Sequence, residues 1–508
     1  MGKDIASPLS KNCPYPKIES SRMADLVNLR QARKAKARRE KAQHAAANRI
    51  RFGQNKDIAQ ARRRETRRQA AKLDGHKLEK PPGGPCAPET ADKKTDRKTR
   101  NNGEPDVTSK LRYSHLVDRM SEDKSDAWEI HFQVLARQAM GEKVLALTIG
   151  DSDYASAPIA IEAAVAALRA GKTRYSNILG EPETKATLAR WYEAKSGLAT
   201  SPDQVALTFG AQNAVFNSLL CLAGAGDEVL VPEPLYVTYP GVAAACGATL
   251  VQVPSPAEQN FHLDLDALEA AITARSRAIL IASPSNPGGA VLSHAEWTRV
   301  GALAEKHNLW VIADEVYCGL VFEGRHVSAA EIPSLRGRCV IIGSLSKSHA
   351  MPGWRLGWII APPGSDLPAA LFKLMLANTS GQAAFLQAGL VAALEEEPLA
   401  LPGMVESYRT RRDRLAATLA NAPGILCRKP EGGMFLLLDV RASGLTPKDF
   451  ASRLLEEAGV GLLPADGFGP STAGHLRVNL GVPDAVIDEA GQRILDFTRK
   501  LALHQAAT

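Results

Sequence analysis

Ser344-Leu345-Ser346-Lys347-Ser348-His349-Ala350-Met351-Pro352-Gly353-Trp354-Arg355-Leu356-Gly357-Trp358 is the stretch that decides how the rest of the chain is read. It follows the apolar run 339–342, whose pattern predicts a buried strand ending in a polar turn. One lysine sits among small hydroxyl residues, and an arginine follows eight positions later. In a walled site a lysine loses its proton more easily than in water and becomes a nucleophilic amine. Condensation with an aldehyde requires such an amine. The hydroxyls of Ser344 and Ser346 and the guanidinium of Arg355 are suitable donors for a phosphate. Taken alone, Lys347 reads as a surface lysine after a core strand.

Upstream, short apolar strands alternate with helical patterns. Strands are predicted over 144–149, 204–208, 228–231, 249–253, 278–282, 310–313 and 340–342. Helices are predicted over 127–141 and 159–170, and from Asn213, Val237, Asp264 and His294. This alternation predicts an α/β domain with a mainly parallel sheet covered on both faces. Beyond Pro362, long helices lead into a second αβ region. It has predicted strands over 433–439 and 475–480, a helix over 447–458 and a final helix from Pro483.

In open α/β sheets, sites form at the carboxyl ends of strands, and chemically distinctive residues recur there. Thr208-Phe209-Gly210-Ala211-Gln212-Asn213 reads as strand, glycine turn and helix start. Free backbone N–H groups at such a place suit a phosphate, although glycine turns before helices are common for other reasons. Pro232-Glu233-Pro234-Leu235-Tyr236-Val237-Thr238-Tyr239 is a proline-fixed turn followed by aromatics, which either stack on a flat ring or pack. In Ser283-Pro284-Ser285-Asn286-Pro287-Gly288-Gly289, the Asn286 amide is a donor for a phenolic oxygen or a carboxylate. Asp314, in Ala313-Asp314-Glu315-Val316-Tyr317, reads as a helix cap or as a carboxylate that keeps a ring nitrogen protonated. Arg477, in His475-Leu476-Arg477-Val478-Asn479, reads as a surface arginine on an edge strand or as a bidentate fork for a carboxylate.

Taken in order, Asn286-Pro287-Gly288-Gly289, Asp314-Glu315-Val316-Tyr317, Ser344-Leu345-Ser346-Lys347, Gly353-Trp354-Arg355-Leu356-Gly357 and the late Arg477 resemble the signature of the class I/II aminotransferases. These are fold-type-I α/β enzymes that use pyridoxal 5′-phosphate (PLP). The resemblance covers roughly residues 112–500. It implies a large PLP-binding domain with a mainly parallel αβα sheet at about 160–370. A smaller C-terminal αβ domain would be built from the flanking N-terminal part and about 371–508. Lys347 is implied as the catalytic Schiff-base lysine and proton shuttle. Gly210, Ala211, Gln212, Ser344 and Arg355 are implied as phosphate ligands, joined by Tyr175 from a neighbouring subunit. Tyr236 would stack on the ring, Asp314 would face its nitrogen, and Asn286 and Tyr317 its phenolic oxygen. The substrate α-carboxylate falls to Arg477, Asn286 and the Gly150 amide. The role of Tyr175 implies a homodimer.

One loop departs from the pattern. Many relatives read Gly-x-Pro-Asp-Phe where this chain has Gly150-Asp151-Ser152-Asp153-Tyr154, over the substrate side chain. The fragments Ala127-Trp128-Glu129-Ile130-His131, Glu233-Pro234-Leu235-Tyr236-Val237-Thr238-Tyr239, 344–351 and Phe468-Gly469-Pro470-Ser471-Thr472-Ala473-Gly474-His475 are similar to the arginine–pyruvate aminotransferases of bacterial arginine catabolism. That likeness implies arginine as amino donor and pyruvate as the 2-oxo acid acceptor. Asp151 and Asp153 are then the candidate carboxylates for the guanidinium, unless they cap the loop. Aspartate, alanine, aromatic or methionine donors stay open, and a PLP lyase or racemase shares most of these residues.

The chain has 508 residues and a net charge of +7, unevenly spread. Residues 1–110 carry 28 Lys and Arg against 13 Asp and Glu, whereas the remainder has an acidic surplus of 8. A basic head is therefore joined to a mildly acidic body. Residues 1–22 lack periodicity and read as disordered. Residues 23–80 are rich in Ala, Arg, Lys and Gln and read as basic helices broken near Phe52-Gly53. They resemble a family of short, basic, uncharacterised bacterial proteins, so Met23 reads as a former start codon. Residues 81–111 read as a linker. The basic run suits a phosphate backbone, but Phe52 is its only aromatic residue and no recognition module is visible. A solvated charged helix without nucleic acid is preferred. A PLP-sensing transcription regulator is the alternative from another class, disfavoured because the head lacks the core and β-wing of a winged helix. Seven scattered cysteines without Cys-x-x-Cys spacing argue against a disulfide framework or a zinc site. No run is long and apolar enough for a membrane span, and no secretory h-region is present, so a cytoplasmic enzyme is expected.

Overall fold

The computed structural model describes residues 114–120, 126–396 and 400–507. The expectations for 1–22, 23–80 and 81–111 lie outside these residues.

Thirteen strands are present among them. They are β1 (Leu145–Ala146), β2 (Val205–Phe209), β3 (Glu228–Pro232), β4 (Thr249–Val253), β5 (Ser276–Ala282), β6 (Trp310–Asp314) and β7 (Cys339–Ser344), followed by β8 (Leu356–Ile360), β9 (Leu426–Arg428), β10 (Phe435–Asp439), β11 (Val460–Gly461), β12 (Leu463–Pro464) and β13 (His475–Asn479). Seven form one sheet in the order β2-β8-β7-β6-β5-β3-β4. Within it, β8 runs antiparallel to both neighbours and the other pairings are parallel. The central strands read as continuous apolar runs because both faces are covered. Ile279, Ile281, Val311 and Ile341 pack into one buried cluster. Their immediate neighbours Ala278, Leu280, Ile312 and Val340 pack into another, on the opposite face.

The flanking helices carry their own start signals. Ser293 and Glu296 form a reciprocal capping box on the helix His294–Lys306. The Thr446 side chain accepts from Asp449 N to start the helix Pro447–Ala458. A second, antiparallel sheet has the order β12-β13-β10-β9. Its core gathers Leu436, Leu438, Leu476 and Val478 with Phe450, Leu454, Ile487 and Ile494 from the C-terminal helices. Ile130 and Val134 of the helix Asp126–Ala139 join the same core, so an early segment is built into the C-terminal domain.

One expectation needs correction, and two elements were not expected. The predicted strand 144–149 pairs only at Leu145–Ala146, because its parallel partner β11 offers two residues. Past them, Leu147 donates to Gly461 O and accepts from Asn479 N, and the chain then turns towards the sheet ends. Leu356 and Gly357, read as the end of the signature, also begin β8, a fully buried strand between β2 and β7 that was not predicted. A helix at Pro182–Ser196 was not expected. Its buried face is built from Thr184, Thr187, Leu188, Ala189 and Tyr192, a mix too polar to show as an apolar stripe.

Candidate active site

The parallel strands end at a cavity of about 350 Å³. β7 delivers Ser344, Ser346 and Lys347, β6 delivers Asp314 and Tyr317, and the turn after β5 delivers Asn286. The turns after β2 and β3 add Ala211, Gln212 and Tyr236, and the turn into β8 adds Arg355. Arg477 reaches in from β13 and Gly150 from the loop after β1. Gly210 stands immediately before Ala211, facing the Arg355 guanidinium, and a Cβ there would collide with that group. Tyr175 is the exception: it is 95 % exposed and lies outside the cavity of its own chain.

Lys347 Nζ donates to Gly150 O at 2.6 Å. Burial pushes its ammonium down to about 8, with Arg477 and Arg355 adding to the effect and Asp151 opposing it. An amine in that range is available as nucleophile and base near neutral pH.

The cavity has an anion-binding end. The helix Ala211–Leu222 starts at Gly210, φ 77°, with no side-chain cap, so its first-turn N–H groups are open to an acceptor. Ser344 Oγ and Ser346 Oγ stand 2.7 Å apart. Arg355, itself at φ 54°, is held against Phe209 O at 3.1 Å and Pro352 O at 2.8 Å. A Cβ on Gly357 would lie 2.5 Å from Gly210 C, so β8 passes against this turn only as glycine.

Two carboxylates sit side by side with different fates. Glu315 turns into the core against Lys195 Nζ at 3.3 Å and accepts from Ser328 Oγ at 2.6 Å. Burial alone would raise its acid; His326 and Lys195 outweigh that and hold it down at about 2. Asp314 faces the cavity and has no ion pair with a cation among the described residues. It accepts from Tyr239 Oη at 2.6 Å and Val316 N at 3.2 Å. Burial raises its acid, with those two bonds working against the rise.

Arg477 is the converse. It is 3 % exposed, lies 4.1 Å over the Phe435 ring and makes no ion pair among the described residues. Its guanidinium donates to Thr148 O at 2.8 Å and Asn286 Oδ1 at 3.3 Å, and Nε finds no partner. Burial pulls the pKa of its guanidinium down to about 10. A buried, incompletely bonded cation is costly unless an anion joins it. Asn286 Nδ2 donates to Tyr317 Oη at 3.4 Å, and burial pushes the Tyr317 phenol up.

These groups fit a flat ring that bears a phosphate, a basic nitrogen and an aldehyde. Open helix N–H groups with Arg355 suit the phosphate, Asp314 the nitrogen and Lys347 the aldehyde, while Arg477 is left for a substrate carboxylate. Three aromatic lining residues were not singled out as site residues: Tyr239, Trp128 and Phe435. Tyr239 was visible only as an aromatic three residues after Tyr236, and Trp128 only within a fragment of family likeness. Phe435 carried no signal beyond an apolar strand.

The loop departure is also resolved. Asp153 is bound by Arg411 NH1 and NH2 at 2.9 and 2.8 Å, so it is not free for a substrate guanidinium, contrary to expectation. Asp151 Oδ1 accepts from Ser152 N at 2.9 Å, the local capping alternative. Ser152 and Tyr154 are tied to Tyr408 and Ser407 at 2.7 and 2.8 Å.

Sheet order, a lysine in the β7–β8 loop and a paired anion site define a fold-type-I PLP enzyme. The family model described as aminotransferase class I and II matches residues 142–494, and the chain belongs to that family. It is a PLP-dependent aminotransferase, moving amino groups between amino acids and 2-oxo acids. Arginine–pyruvate transaminase AruH of Pseudomonas aeruginosa is 42% identical over 384 residues, covering 76% of this chain and 97% of that protein. Aspartate aminotransferase of Rhizobium meliloti is 32% identical over 383 residues, covering 73% of this chain and 92% of the relative. The solved structure of aspartate aminotransferase from Thermus thermophilus with maleate superposes with a TM-score of 0.71 at 30% identity, over 77% of this chain and 100% of that one. Residues 24–78 match a domain of unknown function, DUF4169. Among the described residues no helix is long and apolar enough to cross a membrane.

Proposed function

We propose that this enzyme transfers the α-amino group of L-arginine to pyruvate, with Lys347 as its catalytic base. The observation that carries the catalytic assignment is the pairing, in one cavity, of a lysine amine lowered to about 8 with a buried arginine that lacks an anion. Likeness to the Pseudomonas aeruginosa transaminase supports the donor and acceptor.

In this reading the Gly210, Ala211 and Gln212 amides, Ser344 and Arg355 hold the cofactor phosphate. Tyr236 would stack on the ring, Asp314 would keep the proton on its nitrogen, and Asn286 and Tyr317 would donate to its phenolic oxygen. Bound PLP supplies an electron sink for the pair left when substrate Cα–H breaks. Lys347 Nζ takes that proton and returns it, and Arg477 grips the α-carboxylate bidentately with help from Asn286 and the Gly150 N–H. The cations lining the cavity, Lys347, Arg355 and Arg477, are all engaged by these roles. A donor with a side-chain carboxylate therefore meets no spare cation among the described residues that line the cavity, which disfavours aspartate.

Tyr175, exposed here, completes the phosphate site of a second copy, so the active unit is a homodimer. The large domain runs over about 160–370, and the small domain takes the preceding described residues and about 371–508. Cytoplasmic residence suits the free thiols Cys246 and Cys339, both buried. The test is product formation from a panel of donors with pyruvate. L-Arginine should give alanine and the 2-oxo acid of arginine with the highest kcat/KM. An aspartate, aromatic or methionine donor that outruns arginine would refute the donor assignment.

A further inference from the structure

We propose that Trp128 is the specificity-determining residue for the donor side chain, selecting a cationic side chain through the face of its indole. The inference rests on the reading of arginine as donor and adds what recognises it.

Trp128 lies in the fragment Ala127-Trp128-Glu129-Ile130-His131, whose purpose the catalytic roles do not absorb. The helix Asp126–Ala139 splits these residues three ways. Ile130 is buried in the core of the C-terminal domain. Trp128 lines the cavity beside Ile149 and Gly150. One turn on, His131 Nδ1 is 2.7 Å from Thr148 Oγ1, and its ring stands edge-on to the indole at 6.1 Å and 78°. The carbonyl of that same Thr148 accepts from Arg477 at 2.8 Å. The indole and the carboxylate-gripping arginine are thus registered through one residue. That is the condition for reading a side chain from the carboxylate that anchors it.

A guanidinium is recognised most selectively by a carboxylate or an aromatic face. Among the described residues Asp314 is the one carboxylate lining the cavity, and in the proposed reading it belongs to the ring nitrogen. Asp153 is held by Arg411, and Asp151 is exposed with Oδ1 capped. Among the aromatic residues, Phe435 already carries Arg477, Tyr239 is bonded to Asp314, and Tyr317 is bonded to Asn286. Tyr236 is assigned to the cofactor. Trp128 is left, and indole is the strongest aromatic partner for a planar, weakly hydrated guanidinium.

The experiment compares L-arginine with L-citrulline, which has the same length and an uncharged ureido end, in the holoenzyme with pyruvate. Wild type should prefer arginine. Trp128→Leu should lower kcat/KM for arginine by about three- to thirtyfold while moving citrulline little. Trp128→Phe, the gentler change, should fall between. Equilibrium binding of both ligands to Lys347→Ala with and without Trp128→Leu should show the same selective loss without turnover. Parallel loss for both ligands, no loss for either, or a preference erased by Asp151→Asn but kept by Trp128→Leu would overturn the assignment. A wild type that ignores arginine would instead overturn the donor reading, so the two failures are distinguishable.

Discussion

Lys347 buries an ammonium in a cavity that the Arg477 and Arg355 guanidinium groups also line, and its proton is held less tightly than in water. Its folded value of about 8 lies below the unfolded value of about 10.5, so the unfolded chain binds more protons between these pH values. Stability of the apoprotein should therefore rise with pH across that window, relative to Lys347→Met, in denaturant titrations at pH 7.5 and 10. A flat difference would mean that the ammonium is not destabilised by the fold. Asp314 and Arg477 separate cofactor from substrate effects. Asp314→Asn removes the anion beside the ring nitrogen and should lower kcat by about 10²–10³-fold with little change in KM. Arg477→Lys keeps the charge but loses the fork, and should raise KM for the donor by about 10–100-fold. Steady-state kinetics on the two variants read the split directly.

At the scale of elements, the phosphate turn and β8 are fitted glycine to glycine. Gly357→Ala drives a methyl group into the Gly210–Ala211 backbone and should destabilise the protein by about 1–3 kcal/mol. It should also raise the concentration of PLP needed to reconstitute the apoprotein; an unchanged titration would show that the turn is not part of the cofactor site. The loop after β1 hangs on the helix Met404–Leu419. Arg411→Met removes the buried guanidinium that holds the Asp153 carboxylate and should loosen Gly150, the acceptor of Lys347 Nζ. A stability loss of about 2–3 kcal/mol with a raised KM is expected from thermal melts and kinetics. The parallel strands were legible in sequence because burial on both faces writes itself as unbroken apolar runs. β8 was not, since its residues doubled as a motif, nor was the helix Pro182–Ser196, whose buried face mixes threonines with apolar residues. Within the site, residues with unusual chemistry at strand ends were legible. Trp128 was not, because nothing in the helix pattern shows which of its residues lines the cavity, and Tyr239 was not, because its partner Asp314 lies 75 residues on. Asp153 was misjudged for the same reason: the carboxylate looked free until Arg411 arrived from 258 residues later.

At the scale of the whole molecule, His262 ties the two halves together. Its Nδ1 lies 2.9 Å from Glu296, on the helix His294–Lys306, and its Nε2 lies 2.9 Å from Glu431, just before β10. Those two carboxylates push its imidazolium up to about 10, against the opposing effect of burial. The stabilisation is fully present below the ordinary value near 6.5 and is lost as pH rises through about 10. His262→Gln should cost about 1–2 kcal/mol at pH 6 and nothing at pH 10.5, by denaturant titration. The active site as a whole turns on one claim, that Lys347 carries the cofactor and exchanges it with an amino acid. The most direct measurement is an absorbance scan of the purified protein, before and after L-arginine and then after pyruvate. A band near the visible edge should shift on adding arginine and return with pyruvate, and Lys347→Ala should lose the cycle. No band after PLP is supplied, or a cycle that survives Lys347→Ala, would contradict the account.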